Sequence, residues 1–296
     1  MKQKFQSAKH LTIATDKTSS MVFKKFPKSI CVRTGKNKNA FVTVDVLSSA
    51  EVSQPLTFFD RTVLDVVVTL YEAGNQTITL AQIYRHIIGQ PASKRQAPKH
   101  MAELISQSME GLGCRMVRID ASEEAKVYDM KIENAVLTGN LLSFTSLSVS
   151  FKGGKQITAY HINATPLLYE YAKSKKQVDS VLPVAVGNAP VRHTKQNIEL
   201  VSYLEHRILA MRPTKKHQHK AISKNINVAN MLDELGIAPK EGKPTNSSKK
   251  AKSRAMQTII KILDYWKTII CTDGKPLIGS YLVHGRKPIK SIEIRF

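Results

Sequence analysis

The chain has 296 residues and a formal net charge of +22, and 42% of its residues are hydrophobic. This composition is typical of a globular protein with buried cores, and the length is sufficient for two domains. No stretch approaches the roughly 20 apolar residues of a membrane helix, and the first residues lack an apolar region of signal-peptide length, so we expect neither a membrane span nor export. Cys31, Cys114 and Cys271 form no CxxC pair, which argues against a zinc site or a disulfide framework and favours a reducing cytoplasm.

Residues 1–50 are polar and basic, with ten basic and two acidic side chains. Their only regular pattern is "NAFVTVDVL", which could form a strand. We therefore predict that residues 1–50 are a basic and largely flexible extension.

Residues 51–176 are predicted to form a first domain that begins with three helices. Thr57 and Asp60 are placed to form an acidic variant of the capping box at the start of the first helix, and Gly74 ends it. A short second helix ends at Gly89, and a longer third helix carries Pro98 in its first turn. The hydrophobic period then changes to two, which predicts strands at "CRMVRID", "VYDMKIENAVL", "LLSFTSLSVSF" and "QITAYHI".

Residues 177–196 contain prolines and a glycine without an amphipathic period, so we predict a linker there. Residues 197–296 are predicted to form a second domain. Asn197 is the expected cap of its first helix, Asn227 caps a short helix that ends at Gly236, and "TNSSKKAKSRAMQTIIKILDYW" is the third helix. The alternating segments "PLIGSYLVHG" and "IKSIEIRF" predict a hairpin after it.

The order of helix, short helix ending in glycine, longer helix and β-hairpin therefore occurs twice in the chain. This order is typical of a winged helix, in which the second and third helices form a helix-turn-helix and the hairpin is the wing. The sequence predicts an α+β fold of two tandem winged-helix domains.

The positive charge is concentrated in particular parts of the chain. Residues 51–180 carry fourteen basic and thirteen acidic side chains, whereas residues 181–296 carry twenty-one and eight. A concentrated excess of this kind favours a polyanion partner over a charge that only promotes solubility.

The third helix of the second domain combines cationic first turns with an apolar remainder. Ser247 or Ser248 is the expected N-cap, and the first turns would face the phosphates and base edges of duplex DNA. Arg254 has the planar geometry to bind guanine, and Gln257 could pair with adenine. The competing interpretation is a solvated basic helix, but the hairpin turn "GRKPIK" repeats the charge. The predicted DNA-binding residues are Ser247, Ser248, Lys249, Lys250, Lys252, Ser253, Arg254, Gln257, Arg286, Lys287 and Lys290.

The corresponding helix of the first domain is nearly neutral, because Lys99 and His100 are followed by Glu103 and Glu110. Such a surface suits protein contact better than DNA. We assign the first domain chiefly to dimerisation or partner binding, with auxiliary DNA contact.

No constellation of catalytic residues is evident, so the sequence predicts no enzyme, no metal site and no cofactor. His217 and His219 have the spacing of a rolling-circle nuclease pair, but Gln218 between them is polar and the loop is cationic. The phosphate-binding loop GxxxxGK[ST] is absent, since "GIAPKEGKP" has an extra residue between its glycines and Pro244 in place of the hydroxyl.

Over residues 55–296 the chain resembles the replication initiators of theta-replicating plasmids, which carry tandem winged helices. The resemblance rests on the doubled pattern, on the start of the third helix at Lys249 to Arg254, and on the wing from Arg286 to Lys290. It implies that the second domain binds repeated origin sites, while the first mediates dimerisation and adds DNA contacts. The basic extension and the long strand region from Val127 to Ile162 depart from that pattern.

The leading hypothesis is a sequence-specific double-stranded DNA-binding initiator of plasmid or mobile-element replication, which binds repeated sites and recruits host replication proteins. A transcriptional repressor of a plasmid or phage would use the same helices. A metal-dependent DNA nicking enzyme is the third hypothesis.

Overall fold

The computed structural model describes residues 5–23, 29–33, 40–48, 55–128, 131–152, 156–212, 224–237, 246–285 and 289–296. Helices and strands are interspersed along these ranges, and every strand pair in them is antiparallel.

The N-terminal segment that the sequence predicts to be mostly flexible instead contributes to the core. Its elements are β1 (Ile13–Ala14), α1 (Lys17–Val22), β2 (Ser29–Arg33) and β3 (Phe41–Ser48). The strand expected at "NAFVTVDVL" is confirmed as β3, and alternate residues of it are fully buried, as Val42 and Val44 show. The prediction of a flexible extension is therefore wrong for these residues, because their apolar side chains pack inward.

The first repeated unit starts at α2, where the predicted capping box is present. Thr57 Oγ1 accepts from the Asp60 amide at 3.3 Å, and Asp60 Oδ2 accepts from the Thr57 amide at 2.7 Å. Gly89 ends α3 in the left-handed conformation, with φ of +65°. The elements of the unit are α2 (Phe58–Glu72), β4 (Thr77–Thr79), α3 (Leu80–Ile87), α4 (Lys99–Gly113) and, after an insertion, β7 (Phe144–Ser150) and β8 (Gln156–Ile162).

The insertion between α4 and β7 comprises β5 (Arg115–Asp120), α5 (Ser122–Tyr128) and β6 (Val136–Asn140). The sequence predicts a strand across "VYDMKIENAVL", but Val127 lies at the end of helix α5 and only the last residues of that stretch enter β6. The inserted strands join the N-terminal ones in a four-stranded sheet of order β2-β3-β5-β6. Helix α6 (Leu167–Ser174) and strand β9 (Val178–Asp179) follow, and β9 pairs with β1.

The segment predicted as a linker, residues 177–196, has regular structure, and its centre is buried, at Leu182, Val184, Val186, Gly187 and Ala189. Besides β9 it forms a 3-10 helix at Val184–Asn188, in which Val184 and Val186 are buried. Helix α7 (Lys195–Met211) also starts inside this segment. Thr194, not Asn197, is its N-cap, and the Thr194 hydroxyl accepts from the Asn197 amide.

The second repeated unit contains α7, β10 (Asn225–Asn227), α8 (Val228–Glu234), α9 (Asn246–Trp266), β11 (Ser280–His284) and β12 (Ser291–Arg295). As predicted, Asn227 caps α8, because its Oδ1 accepts from the Asn230 amide at 3.0 Å, and Gly236 follows the helix with φ of +64°. The sheet order β10-β12-β11 has the same connectivity as β4-β8-β7 in the first unit. In both units the short strand directly precedes the second helix and pairs with the last strand of the hairpin.

Helix α2 of the first unit packs against α7 of the second. Phe58 meets Tyr203 edge to face, with ring centroids 5.4 Å apart. Deeper in the contact, His206 Nε2 donates to Asp65 Oδ2 at 2.7 Å, and the Tyr169 hydroxyl donates to Asp65 Oδ1. Buried residues of both units therefore share one continuous hydrophobic core.

Candidate nucleic-acid interface

Helix α9 has the buried stripe that its sequence predicts. Ala255, Ile259, Ile262, Leu263 and Trp266 are all buried, since residues three, four and seven apart lie on one side of a helix. The expected cap is wrong. The helix already includes Asn246, so Ser247 and Ser248 lie in its first turn; their side chains are outside the described part of the chain.

The opposite side of α9 is exposed and carries the predicted base-reading residues. At roughly 100° per residue, Lys250, Arg254 and Gln257 lie within about 60° of one another on this side. All three are exposed. Lys261 continues the same face one turn later and is also exposed. The sequence prediction omitted Lys261, although its position seven residues after Arg254 places it on that face.

The remaining predicted residues of α9 diverge from this face. Ser253 and Lys249 are exposed, but they lie about 100° and about 140° around the helix from Arg254. Lys252 is half-buried and lies about 160° away, on the side that packs inward. The geometry therefore brings Lys250, Arg254 and Gln257 together and turns Lys252 away from them.

The hairpin after α9 is confirmed as β11 and β12, with His284 paired to Ser291 at the turn. Lys290 is exposed in this turn, and its carbonyl oxygen accepts from the Val228 amide at 3.1 Å. That bond attaches the turn to the first residue of α8. Arg286 and Lys287 lie outside the described residues.

A polar contact fixes the hairpin against the last turns of α9. The Tyr281 hydroxyl donates to Asp264 Oδ1 at 3.0 Å, and Lys267 pairs with the same carboxylate at 2.7 Å. The hydrogen bond from Lys267 lowers the pKa of Asp264, and desolvation is the main cause that raises the pKa of Tyr281 to about 12. Asp264, the acidic residue on the exposed side of α9, therefore lies near the end of the helix and is paired with Lys267.

The third helix of the first unit presents a different surface. Its exposed side carries Glu103, Gln107 and Glu110, and only Lys99 and His100 add basic groups at its start. The described hairpin residues in β7 are uncharged. Two of them, Leu147 and Val149, are exposed apolar side chains on one face of that strand. This unit lacks the cationic helix face of the second one.

The described residues contain no group of three or more His, Cys, Asp or Glu side chains that could hold a metal ion. His161 lies in β8, where its Nδ1 is 3.0 Å from the Thr77 hydroxyl on the neighbouring strand. His217 and His219 are outside the described ranges. Within those ranges no helix is both long and apolar enough to cross a membrane.

No protein-family model matches the chain, and no curated protein matches it significantly. Two crystal structures of domains 2 and 3 of RctB, one of them a selenomethionine derivative, resemble it at 10% sequence identity. The selenomethionine derivative gives a TM-score of 0.43, and the match covers 92% of this chain and 91% of that one. The other structure gives a TM-score of 0.47, and the match covers 92% of this chain and 93% of that one. Similarity at this level carries no information about function.

Proposed function

We propose that each repeated unit is a winged helix and that the two units form a tandem. The shared strand connectivity supports this assignment, because β4 and β10 each pair with the last strand of the hairpin that follows the third helix. The capped second helices and the left-handed glycines after them, Gly89 and Gly236, are placed alike in both units.

The function that we propose is sequence-specific binding of double-stranded DNA by a replication initiator of a plasmid or mobile element. One observation carries it: the exposed side of α9 presents Lys250, Arg254 and Gln257 together, on the helix that a winged helix inserts into the major groove. The guanidinium and amide groups match the base edges of guanine and adenine, and the lysine matches phosphate. We propose that the protein acts without catalysis of its own.

For the first unit we propose self-association or contact with host replication proteins. Its third helix exposes Glu103 and Glu110, which would repel phosphates, and its hairpin exposes Leu147 and Val149.

Since Cys31, Cys114 and Cys271 are free thiols, a reducing cytoplasm suits the protein.

The experiment is a footprint on the DNA that flanks the coding region. Protection of direct repeats would support an initiator, and protection of a single palindrome would support the alternative of a transcriptional repressor. Absence of protection at low salt, with the full chain folded, would contradict sequence-specific binding of that DNA.

The remaining alternative is a metal-dependent nicking enzyme, and it needs a separate assay. Supercoiled plasmid that carries the flanking DNA is incubated with the protein and Mg²⁺ or Mn²⁺, with EDTA as the control. Nicked product that depends on the metal would overturn our proposal that the protein acts without catalysis.

A further inference from the structure

The 3-10 helix at Val184–Asn188, which we call the junction segment, lies between the two units and the N-terminal strand region. The Val184 amide donates to the Lys9 carbonyl oxygen at 2.9 Å, next to the bridge between His10 and Pro183. The segment therefore starts anchored to the N-terminal part of the chain.

On the side of the first unit, the junction segment meets the end of α3 backbone to backbone. A Cβ atom added at Gly187 would lie within 3.0 Å of the Ile87 carbonyl oxygen and of the Gly89 amide nitrogen. Real Cβ atoms do not approach backbone atoms so closely, so any larger residue at position 187 must push the segment away from α3. Gln90 Nε2 adds a hydrogen bond to Asn188 Oδ1 at 2.7 Å.

On the side of the second unit, the same segment accepts hydrogen bonds from the last turn of α9. The Trp266 indole Nε1 donates to the Val186 carbonyl oxygen at 3.1 Å, and the Tyr265 hydroxyl donates to the Ala185 carbonyl oxygen at 3.0 Å. Trp266 is fully buried, so its N–H has no access to water in place of this acceptor. Two consecutive carbonyl groups of the junction segment thus hold the helix that carries Arg254.

We propose that the junction segment fixes the orientation of α9 relative to the first unit, with Gly187 and Tyr265 as positioning residues. Gly187 permits the close approach to α3, and Tyr265 links the segment to α9. The two units then behave as one rigid body, and not as two domains on a flexible linker. If both units contact DNA, a fixed orientation would also fix the spacing between their contacts, and this consequence rests on the proposed function. The orientation itself does not depend on that function.

The test is a distance distribution between spin labels on the two units of the full chain, measured without DNA. The exposed Cys31 and Cys114 are replaced by serine, and labels are attached at Glu103→Cys on α4 and Asn230→Cys on α8, both exposed positions. Gly187→Ala is compared with Gly139→Ala, in which the added methyl would make only ordinary van der Waals contact with Leu167.

We expect one narrow distribution for the parent and for Gly139→Ala. Because the segment must move away from α3, Gly187→Ala should shift the mean or broaden the distribution about twofold. If Gly187→Ala does not fold, the double variant Tyr265→Phe, Gln90→Ala replaces it, because it removes two side-chain hydrogen bonds to the junction segment. The same shift or broadening of the distance distribution is then expected. An unchanged distribution in the folded variant would overturn the proposal, since the packing of α2 on α7 would then suffice. Neither result depends on DNA binding.

Discussion

The contact between α2 and α7 makes a strong prediction for Asp65→Ala. The Asp65 side chain is 9% exposed, and it accepts hydrogen bonds from His206 and Tyr169. The neighbouring Arg61 is also buried, where desolvation lowers its pKa and the Asp65 charge is the main influence that raises it. Alanine would remove the acceptor of two buried donors and the carboxylate that most strongly favours the charged form of Arg61.

Removing one partner from a buried ionic group costs about 3–5 kcal/mol. We therefore expect Asp65→Ala to lower the free energy of unfolding by about 4 kcal/mol. For a chain of this size each kcal/mol corresponds to roughly 2–4 °C in Tm, which gives a decrease of about 10 °C. The matched control is Glu123→Ala, whose carboxylate makes an exposed pair with Lys126, so that its loss should cost less than about 0.5 kcal/mol.

The assay is urea unfolding, followed by far-UV circular dichroism and by the fluorescence of Trp266, the only tryptophan. Asp65 lies in the first unit and Trp266 in the second, so a shared core predicts that the substitution moves both transitions equally. A loss below about 1 kcal/mol would refute our reading of the Asp65 network. A Trp266 transition that stays unshifted would refute the shared core.

Three further predictions concern pH, salt and capping. Desolvation raises the pKa of the buried Glu205 to about 8 and lowers the pKa of the neighbouring His206 from 6.5 to about 4. Of these two residues, only Glu205 therefore changes its charge above pH 6.5. A carboxyl pKa that is higher in the folded than in the unfolded state means that stability is lost as the pH rises. The free energy of unfolding should therefore fall between pH 6.5 and 8, by at most about 1.4 kcal/mol per pH unit. In urea titrations, Glu205→Gln should flatten this dependence. The sequence predicts that six cations contact phosphate, namely Lys249, Lys250, Lys252, Arg286, Lys287 and Lys290; since Lys252 lies on the side of α9 that packs inward, the other five should give a slope of log affinity against log salt of about −4.5 in fluorescence anisotropy, and a slope near −1 would contradict those contacts. Thr57→Ala removes the cap of α2 and should lower the free energy of unfolding by about 1 kcal/mol, whereas an unchanged urea midpoint would contradict the capping role.

Local features of the two units were predictable from sequence because they depend on neighbouring residues. The capping box at Thr57 and Asp60, the cap at Asn227 and the left-handed Gly236 each act within a few positions. The buried stripe of α9 follows from helical periodicity alone, as does the face shared by Arg254 and its neighbours.

Most of the errors concern contacts between residues that are distant in the chain. Strand β3 pairs with β2 nearby but also with β5, about seventy residues later, so the local pattern predicts a strand in residues 1–50 and not that the strand belongs to the core. The junction segment contacts Lys9, Gly89 and Trp266, which are far apart in the chain, so no local hydrophobic period indicates that it is buried. The cap of α9 was misplaced because several polar residues in succession are acceptable at a helix start.

The most direct test of sequence-specific binding by α9 compares Arg254→Ala with Lys250→Ala on the footprinted site and on random duplex DNA. Lys173→Ala, on helix α6 after the first unit, is the control for loss of one charge. Arg254→Ala should cost about 1–3 kcal/mol on the footprinted site and relax the preference at one base position, since it would remove a base contact.

Lys250→Ala should weaken binding to both DNAs alike and make the salt slope about one unit shallower. Competition binding at several salt concentrations, with all three variants on both DNAs, measures both the affinities and the salt slopes. Sequence reading by α9 predicts that Arg254→Ala loses affinity for the footprinted site and little for random DNA. An equal loss on both DNAs would contradict it, because Arg254 would then bind only the phosphate backbone.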